Sequence, residues 1–494
     1  MPETTWAGHP RVLAYLVFAE AWERFSYYGM RALLVLYLTK SFLFGDRAAY
    51  AIFGSYTALV FATPVFGGFL ADRLLGFRKA ILLGGVLMAL GHFAMTVERL
   101  QVFYFALGLL ICGNGFFKPN ISSLVGRLYR ANDPRRDSAF TIFYMGINLG
   151  GLLSPLACGY LGERYGWHWG FGLAGVGMLL GLGVFVRAQP LLVGLADPPP
   201  RAEGSRGHWA GLSFETWVYL GTLVGVLLAW QLVQHSVLVG TLLVGFGVVV
   251  FLGLLVYLLR LPDKVDRDRL AVALLLTLVS VVFWSFFEQT GSSMTLFTDR
   301  NVDRMVLGWL VPTSMFQSIN GIYIVLLGPV LIALWLYLAR RQHEPNTPLK
   351  FGLGIVQLGL GFGALYLGAS TSRATGVVPM VWLVLGYLLH STGELCLSPI
   401  GLSMITKLSP KRITGVMMGT WFLATAFAQY AASLIAQLTG VKEGGALASV
   451  LPKPVETVMV YGSVFGSIGW VALAVGALVV LVSPLIARRM HGVR

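Results

Sequence analysis

Charged residues are scarce in this sequence, and their scarcity excludes most soluble folds. Asp, Glu, Lys and Arg make up 12% of the 494 residues, whereas a soluble globular domain has about 25%. Hydrophobic residues make up 56% of the chain. A soluble core cannot bury that much apolar surface, but a lipid bilayer can surround it. The composition therefore indicates an integral membrane protein.

Cysteine is also rare. The three cysteines lie inside apolar runs, at Cys112, Cys158 and Cys396. Their spacing fits neither a metal site nor a disulfide framework, so we interpret them as small packing residues and predict no metal site. The sequence also lacks a G-x-x-x-x-G-K-[ST] phosphate loop, an H-E-x-x-H zinc motif and a Ser-His-Asp pattern. These absences argue against a membrane enzyme.

Long apolar runs dominate what the sequence does contain. Fourteen of them are long enough to span a bilayer, which takes about 20 residues. An even number of spans places both termini on the same side. The sequence therefore predicts an all-α polytopic membrane protein, with spans at about 11–43, 47–75, 79–97, 100–126, 136–162, 168–187, 214–232, 235–259, 268–297, 305–340, 348–370, 379–405, 412–438 and 458–490.

Positive charge is in excess, with a formal net charge of +14. In a soluble chain this would suggest a nucleic-acid partner, but here the basic residues lie in short loops. On the side that carries both termini they outnumber those of the opposite side by more than two to one. Because positively charged loops stay in the cytoplasm, we predict cytoplasmic termini and no nucleic-acid partner.

One long polar segment divides the chain. Residues 188–213 contain the proline run 198–200 and are rich in glycine, arginine and serine, a composition typical of a flexible linker. The two spans that follow carry almost no charge, so we interpret them as an inserted, peripheral hairpin. The predicted organisation is an N-terminal six-helix bundle, a linker with the hairpin, and a C-terminal six-helix bundle, at residues 1–187, 188–267 and 268–494.

A few charges remain inside the predicted spans. A charge at the bilayer centre costs about 2.5–3.5 kcal/mol, so seven unpaired charges would cost on the order of 20 kcal/mol. They must therefore pair with one another or face a water-filled cavity, and three cations with four carboxylates suit both. These residues are Glu20, Glu23, Arg24, Arg31, Lys118, Glu288 and Glu394.

The first span concentrates polar residues on one face. At about 100° per residue, Glu20, Glu23, Arg24, Tyr27 and Arg31 fall within one stripe. A structural i,i+4 pair between Glu20 and Arg24 would explain only part of this pattern. We interpret the stripe as the lining of a cavity.

The other intramembrane charges are isolated. Lys118 lies in GNGFFKPN, residues 113–120, whose glycines and proline suggest a locally opened helix. A lone carboxyl group in apolar surroundings binds a proton more readily than one in water, so Glu288 and Glu394 suit proton binding near neutral pH. A static buried ion pair is the alternative for each. His390, one helical turn from Glu394, fits a packing residue as well as a proton relay.

Several of these segments resemble the proton-dependent oligopeptide transporter family of the major facilitator superfamily. Residues 20–29, EAWERFSYYG, are similar to the family pattern ExxERFxYYG. Residues 67–76, GGFLADRLLG, and 140–150, FTIFYMGINLG, resemble its two signatures. Further matches lie around Lys118, Glu288, residues 316–320 and Glu394. The resemblance, to the bacterial branch, implies a major facilitator fold of twelve core helices plus a two-helix insertion.

The resemblance also implies a function. It suggests a symporter that imports di- and tripeptides by alternating access, with the proton as coupling ion and no other cofactor. Arg31 and Lys118 would hold the peptide carboxylate, and Glu394 its amino terminus. The residues that would couple the proton are Glu20, Glu23, Arg24 and Glu288.

The implied site includes neutral residues. Phe61 occupies a position where some members have a pocket tyrosine, and the missing hydroxyl puts affinity and side-chain preference inferred from those members in doubt. Asn148 and Asn320 would bond the peptide backbone. The residues expected to line side-chain pockets are Tyr27, Tyr28, Trp284 and Trp421.

The expected setting is the bacterial inner membrane, with lipid around a monomeric chain. One alternative is a proton-coupled transporter of the same fold for nitrate, another small anion or a drug-like substrate. A channel is disfavoured, because a stripe with both signs of charge on one helix is unlike a selectivity filter.

Overall fold

A computed structural model of the chain describes residues 5–6, 8–130, 133–197, 208–209, 211–440 and 453–493. The proline run 198–200 of the predicted linker lies outside the described residues. The described ranges contain three short antiparallel hairpins, each formed by two strands of two residues. They pair Thr5–Trp6 with His9–Pro10, His208–Trp209 with Leu212–Ser213, and Met305–Val306 with Trp309–Leu310.

Long helices make up the rest of the fold. Across the described ranges, twelve helical segments are long and apolar enough to cross a membrane, and two further helices match the remaining predicted spans. All fourteen predicted spans contain a long helix. The predicted start of the tenth at 305 is wrong, because Met305–Val306 and Trp309–Leu310 form a hairpin and the helical segment begins at Thr313. In chain order they are α1 (Arg11–Lys40), α2 (Asp46–Leu75), α3 (Phe77–Ala94), α4 (Leu100–Arg127), α5 (Arg135–Tyr165), α6 (Trp167–Leu192), α7 (Phe214–Gln234), α8 (Ser236–Arg260), α9 (Lys264–Asn301), α10 (Thr313–Arg340), α11 (Thr347–Thr371), α12 (Met380–Leu408), α13 (Thr414–Gln437) and α14 (Pro454–Arg489).

Local sequence signals set several helix ends. Ser213 caps α7 by accepting a hydrogen bond from the Thr216 amide at 3.1 Å, and Asn346 caps α11 in the same way from the Leu349 amide at 2.8 Å. Gly76, between α2 and α3, has φ +75°, a conformation that residues with a β-carbon rarely adopt. The sharp reversal there therefore depends on glycine.

The structure of α4 differs from the local opening predicted for it. It is helical from Leu100 to Arg127, with Pro119 inside it, so the local opening predicted for residues 113–120 is wrong. The glycines serve packing instead: a β-carbon on Gly115 would lie 2.8 Å from the Thr63 β-carbon, and one on Gly113 would lie 2.5 Å from the Met88 side chain. Close approach of α4 to α2 and α3 therefore accounts for these glycines.

The chain separates into two compact units. Unit 1 comprises residues 1–34 and 55–239, and unit 2 comprises residues 35–54 and 240–494. Within unit 1, α7 packs closely on α4, since a β-carbon on Gly108 would lie 2.7 Å from the Val226 carbonyl oxygen. The six-helix boundaries given above remain predictions.

A buried ion pair stabilises unit 2. The Nη1 and Nη2 atoms of Arg300 each donate to the Asp46 carboxylate at 2.7 Å, and the two side chains are 10% and 8% exposed. Such a bidentate pair excludes water from both groups, so neither charge can be removed without leaving the other buried and unpaired.

Asp46→Ala should therefore destabilise the protein by about 3–5 kcal/mol, because it leaves Arg300 buried without its counter-ion. A lower thermal unfolding temperature in detergent would show this. Glu98→Ala is the control, since Glu98 is 49% exposed in its pair with His168 and should change stability by about 0–1 kcal/mol. Equal unfolding temperatures for the two variants would contradict the prediction.

Candidate functional site

An acid–base group lies on α1 within unit 1. The Arg24 guanidinium donates two hydrogen bonds to the Glu23 carboxylate, one from Nε to Oε2 and one from Nη2 to Oε1 at 2.5 Å. The Arg24 Nε atom lies 3.7 Å from Glu20 Oε1. Both glutamates are 0% exposed and Arg24 is 1% exposed. One cation therefore serves two buried carboxylates.

A residue of α4 completes this group. The Asn114 Nδ2 atom donates to Glu23 Oε1 at 3.2 Å, and Asn114 is 1% exposed. The positive charge of Lys118, one turn further along α4, acts on the Glu20 carboxylate together with that of Arg24. Helices α1 and α4 thus bring five polar residues together in unit 1, namely the predicted Glu20, Glu23, Arg24 and Lys118 and their neighbour Asn114.

Aromatic rings cover the cations. The Arg24 guanidinium carbon lies 4.9 Å from the Tyr27 ring centroid and 5.8 Å from that of Tyr28, within cation–π range. The Lys118 Nζ atom lies 5.2 Å from the Phe61 ring centroid. Phe61 therefore contributes a cation–π contact to Lys118, which depends on the ring face and not on a hydroxyl.

Two other predicted site residues of unit 1 lie on α1 and α5. Arg31 is buried, at 8% exposure, two helical turns beyond Arg24 on α1. Asn148 is partly exposed on α5, and its Nδ2 atom donates to the Tyr144 carbonyl oxygen at 2.8 Å. Because only the amide nitrogen is used in this bond, the side-chain oxygen of Asn148 can still accept a hydrogen bond.

In unit 2, Glu394 is held by an amide. The Asn320 Nδ2 atom on α10 donates to Glu394 Oε2 at 2.9 Å and to the Ser391 hydroxyl oxygen at 3.0 Å. Glu394 and Asn320 are both partly exposed. An ionised carboxylate offers about four acceptor positions, so this bond leaves capacity for a ligand.

The remaining predicted residues of unit 2 lie on α9 and α13. Glu288 is 8% exposed and begins the 3₁₀ turn Glu288–Gly291, where α9 changes its winding. Trp284 makes an edge contact with Phe287, with ring centroids 5.3 Å apart. Trp421 is buried on α13 at 9% exposure.

Two polar partners were not assigned roles from the sequence. Asn114 bonds Glu23, and Ser391 bonds Asn320. A sequence signal existed for each, because Asn114 precedes Lys118 by one helical turn and Ser391 precedes Glu394 by three residues. A position on the same helix face as a site residue identifies a candidate site residue. It does not identify the partner that the candidate contacts on another helix.

Known proteins similar to this chain share its length and fold. The sequence profile of the POT family (PTR2) matches residues 78–193 and 243–449, more than half of the chain. The chain is 34% identical to dipeptide and tripeptide permease A of Chromobacterium violaceum, over 96% of the chain and 93% of that protein. The chain belongs to the POT family. An uncharacterised transporter of Bacillus subtilis is 38% identical to this POT protein, over 100% of this chain and 97% of the relative.

A solved structure also resembles this POT protein. It is the crystal structure of a peptide transporter POT in complex with sulfate, 35% identical, with a TM-score of 0.83 and coverage of 100% of this chain and 98% of that one. The predicted family and the major facilitator fold are therefore confirmed, and the chain is an integral membrane protein of a peptide-transporter family.

Proposed function

We propose that this POT protein is a symporter that imports di- and tripeptides together with protons by alternating access. The single observation that carries the proposal is the buried acid–base group of unit 1, in which two carboxylates share one guanidinium. Burying such a group is costly unless it gains a proton or a counter-ion. The permease of Chromobacterium violaceum, named for dipeptides and tripeptides, supports the same substrate class.

Glu394 is proposed to bind the amino terminus of the peptide. Its carboxylate is oriented by Asn320 and is partly exposed. An ammonium group is a point charge with three donors, so it suits the acceptor positions that the asparagine leaves. Asn320 acts in this proposal both as a support for Glu394 and as a partner of the peptide backbone.

Arg31 and Lys118 are proposed to bind the carboxylate of the peptide. Arginine offers a planar fork of donors that matches a carboxylate, while lysine adds a point charge. The Phe61 ring keeps the Lys118 ammonium close to an aromatic face. Because these groups bind only the two ends of the peptide, peptide length would be selected more strictly than side chains.

Proton coupling is proposed to depend on Glu20, Glu23, Arg24 and Glu288. The membrane potential is a sufficient energy source, since one charge that crosses 100 mV releases about 2.3 kcal/mol. Each unit of pH gradient adds about 1.4 kcal/mol. No resident cofactor is needed for this chemistry.

The proposed location is the bacterial inner membrane, with both termini in the cytoplasm, where the proton gradient points inward. The excess of positive charge in the loops that share a side with the termini supports this orientation. A single chain carries every residue named above, so we propose that a monomer transports.

Uptake into proteoliposomes tests the function. A labelled dipeptide should accumulate above its external concentration when the outside is acidic, and only equilibrate without a gradient. Unlabelled di- and tripeptides should compete with it, whereas nitrate should not. Competition by nitrate or a drug-like anion, with none from peptides, would reject the proposal in favour of the alternative substrate.

A further inference from the structure

The two glutamates of the α1 group receive unequal numbers of hydrogen bonds. Glu23 accepts from Arg24 twice and from Asn114 once. Neither carboxylate oxygen of Glu20 has a hydrogen-bond partner in the part of the chain that the structure describes, and both are buried. Hydrogen bonds to the ionised form of a carboxyl group stabilise it, and Glu23 receives three whereas Glu20 receives none from the residues that the structure describes.

Within α1, the net charge of the group also favours the binding of one proton. Glu20, Glu23 and Arg24 together carry one net negative charge, and all are at most 1% exposed. One proton makes the group neutral. Other groups that act on it electrostatically are Lys118 on α4, Tyr28 on α1 and the buried Tyr56 on α2. Lysine opposes protonation only in part, because it shares no hydrogen bond with either Glu20 oxygen.

Asn114 is the donor that comes from another helix. Arg24 already favours a charged Glu23, because it donates two hydrogen bonds to Glu23 and lies 3.7 Å from Glu20 Oε1 without a hydrogen bond to it. Asn114 bonds Glu23 alone. Its neighbours Gly113 and Gly115 hold α4 against α3 and α2, so the backbone position from which the amide reaches Glu23 is set by close helix packing.

We propose that Asn114 is a positioning residue that, with Arg24, keeps Glu23 ionised and leaves Glu20 as the carboxyl group that takes the proton. The proposal deepens the proton coupling proposed above and rests on it. It makes the proton site depend on a contact between α1 and α4 as well as on the hydrogen bonds from Arg24 within α1.

The pH dependence of uptake tests the role of Asn114. Asn114→Leu removes a donor from the Glu23 carboxylate, so the proton is held more tightly and the pH of half-maximal uptake should rise by about one unit. Asn114→Asp has nearly the same shape and adds a negative charge, so it should raise that pH at least as far, and it keeps the test decisive if the leucine variant fails to fold.

Asn120→Leu is the matched control. Asn120 is also a buried asparagine of α4, but it donates to the carbonyl oxygens of Phe116 and Gly67. Its loss should lower the unfolding temperature without moving the pH profile. A wild-type profile in both Asn114 variants, or an equal shift in Asn120→Leu, would overturn the proposal.

Infrared spectroscopy locates the proton without transport. In difference spectra of the purified protein, one titrating carbonyl band of a protonated carboxyl group should be lost in Glu20→Gln and retained in Glu23→Gln. The reverse pattern would refute the assignment. If wild-type vesicles show no pH-driven peptide uptake, the proposed function fails, while the infrared bands still decide which glutamate takes a proton.

Discussion

Glu288→Gln is expected to abolish proton-driven accumulation of a labelled dipeptide and to preserve exchange of internal for external peptide. Glutamine matches the shape of the protonated acid but cannot release a proton. For one proton per peptide, each unit of pH gradient supports about a tenfold concentration ratio. Under a pH gradient that gives tenfold accumulation in the wild type, the variant should therefore reach a ratio of internal to external dipeptide concentration near one.

The position of Glu288 explains why the effect should be large. The side chain is 8% exposed and lies where α9 changes from α to 3₁₀ winding. A buried carboxyl group at such an irregularity costs stability and is retained for function more often than for packing. Its loss should thus affect coupling more than folding.

Proteoliposomes loaded with unlabelled peptide provide the measurement, since they report exchange and gradient-driven uptake in one preparation. Glu344→Gln is the control, because Glu344 is 43% exposed in its pair with Lys350 and should transport like the wild type. Full accumulation by Glu288→Gln would reject the coupling role of Glu288.

Glu394→Gln is expected to have the second large effect, on recognition of the peptide amino terminus. Loss of one partner of a hydrogen-bonded charge pair that the bound peptide would shield from water costs about 2–5 kcal/mol. The concentration of dipeptide needed for half-maximal competition should therefore rise by at least about thirtyfold. Glutamine keeps the size of the side chain and an acceptor oxygen for Asn320, so the loss reports the missing charge.

N-acetylated dipeptides make the test specific. The wild type should bind them far more weakly than free dipeptides, whereas Glu394→Gln should bind both weakly and lose the distinction. Asn320→Ala should give a smaller loss, because Glu394 keeps its charge but loses a hydrogen bond. Undiminished discrimination in Glu394→Gln would place the amino-terminal site elsewhere.

Residues 113–120 of α4 show why local sequence rules can predict the wrong helix geometry. Glycine and proline together lower helix propensity, and that local rule predicted an open helix at residues 113–120. In the structure the helix continues, because close packing of Gly113 and Gly115 on neighbouring helices outweighs weak propensity. The glycines are contact residues, and a single sequence does not distinguish the two uses.

The sequence by itself determined the fourteen spans, the membrane class and the intramembrane charges, because hydropathy and charge are properties of short segments and the bilayer thickness is fixed. The tertiary structure alone decided which donors those charges receive. Asn114 is 91 residues from Glu23 along the chain, and Asn320 is 74 residues from Glu394. Helix periodicity defines faces but not which faces meet, so partners on different helices emerge only when the chain has folded.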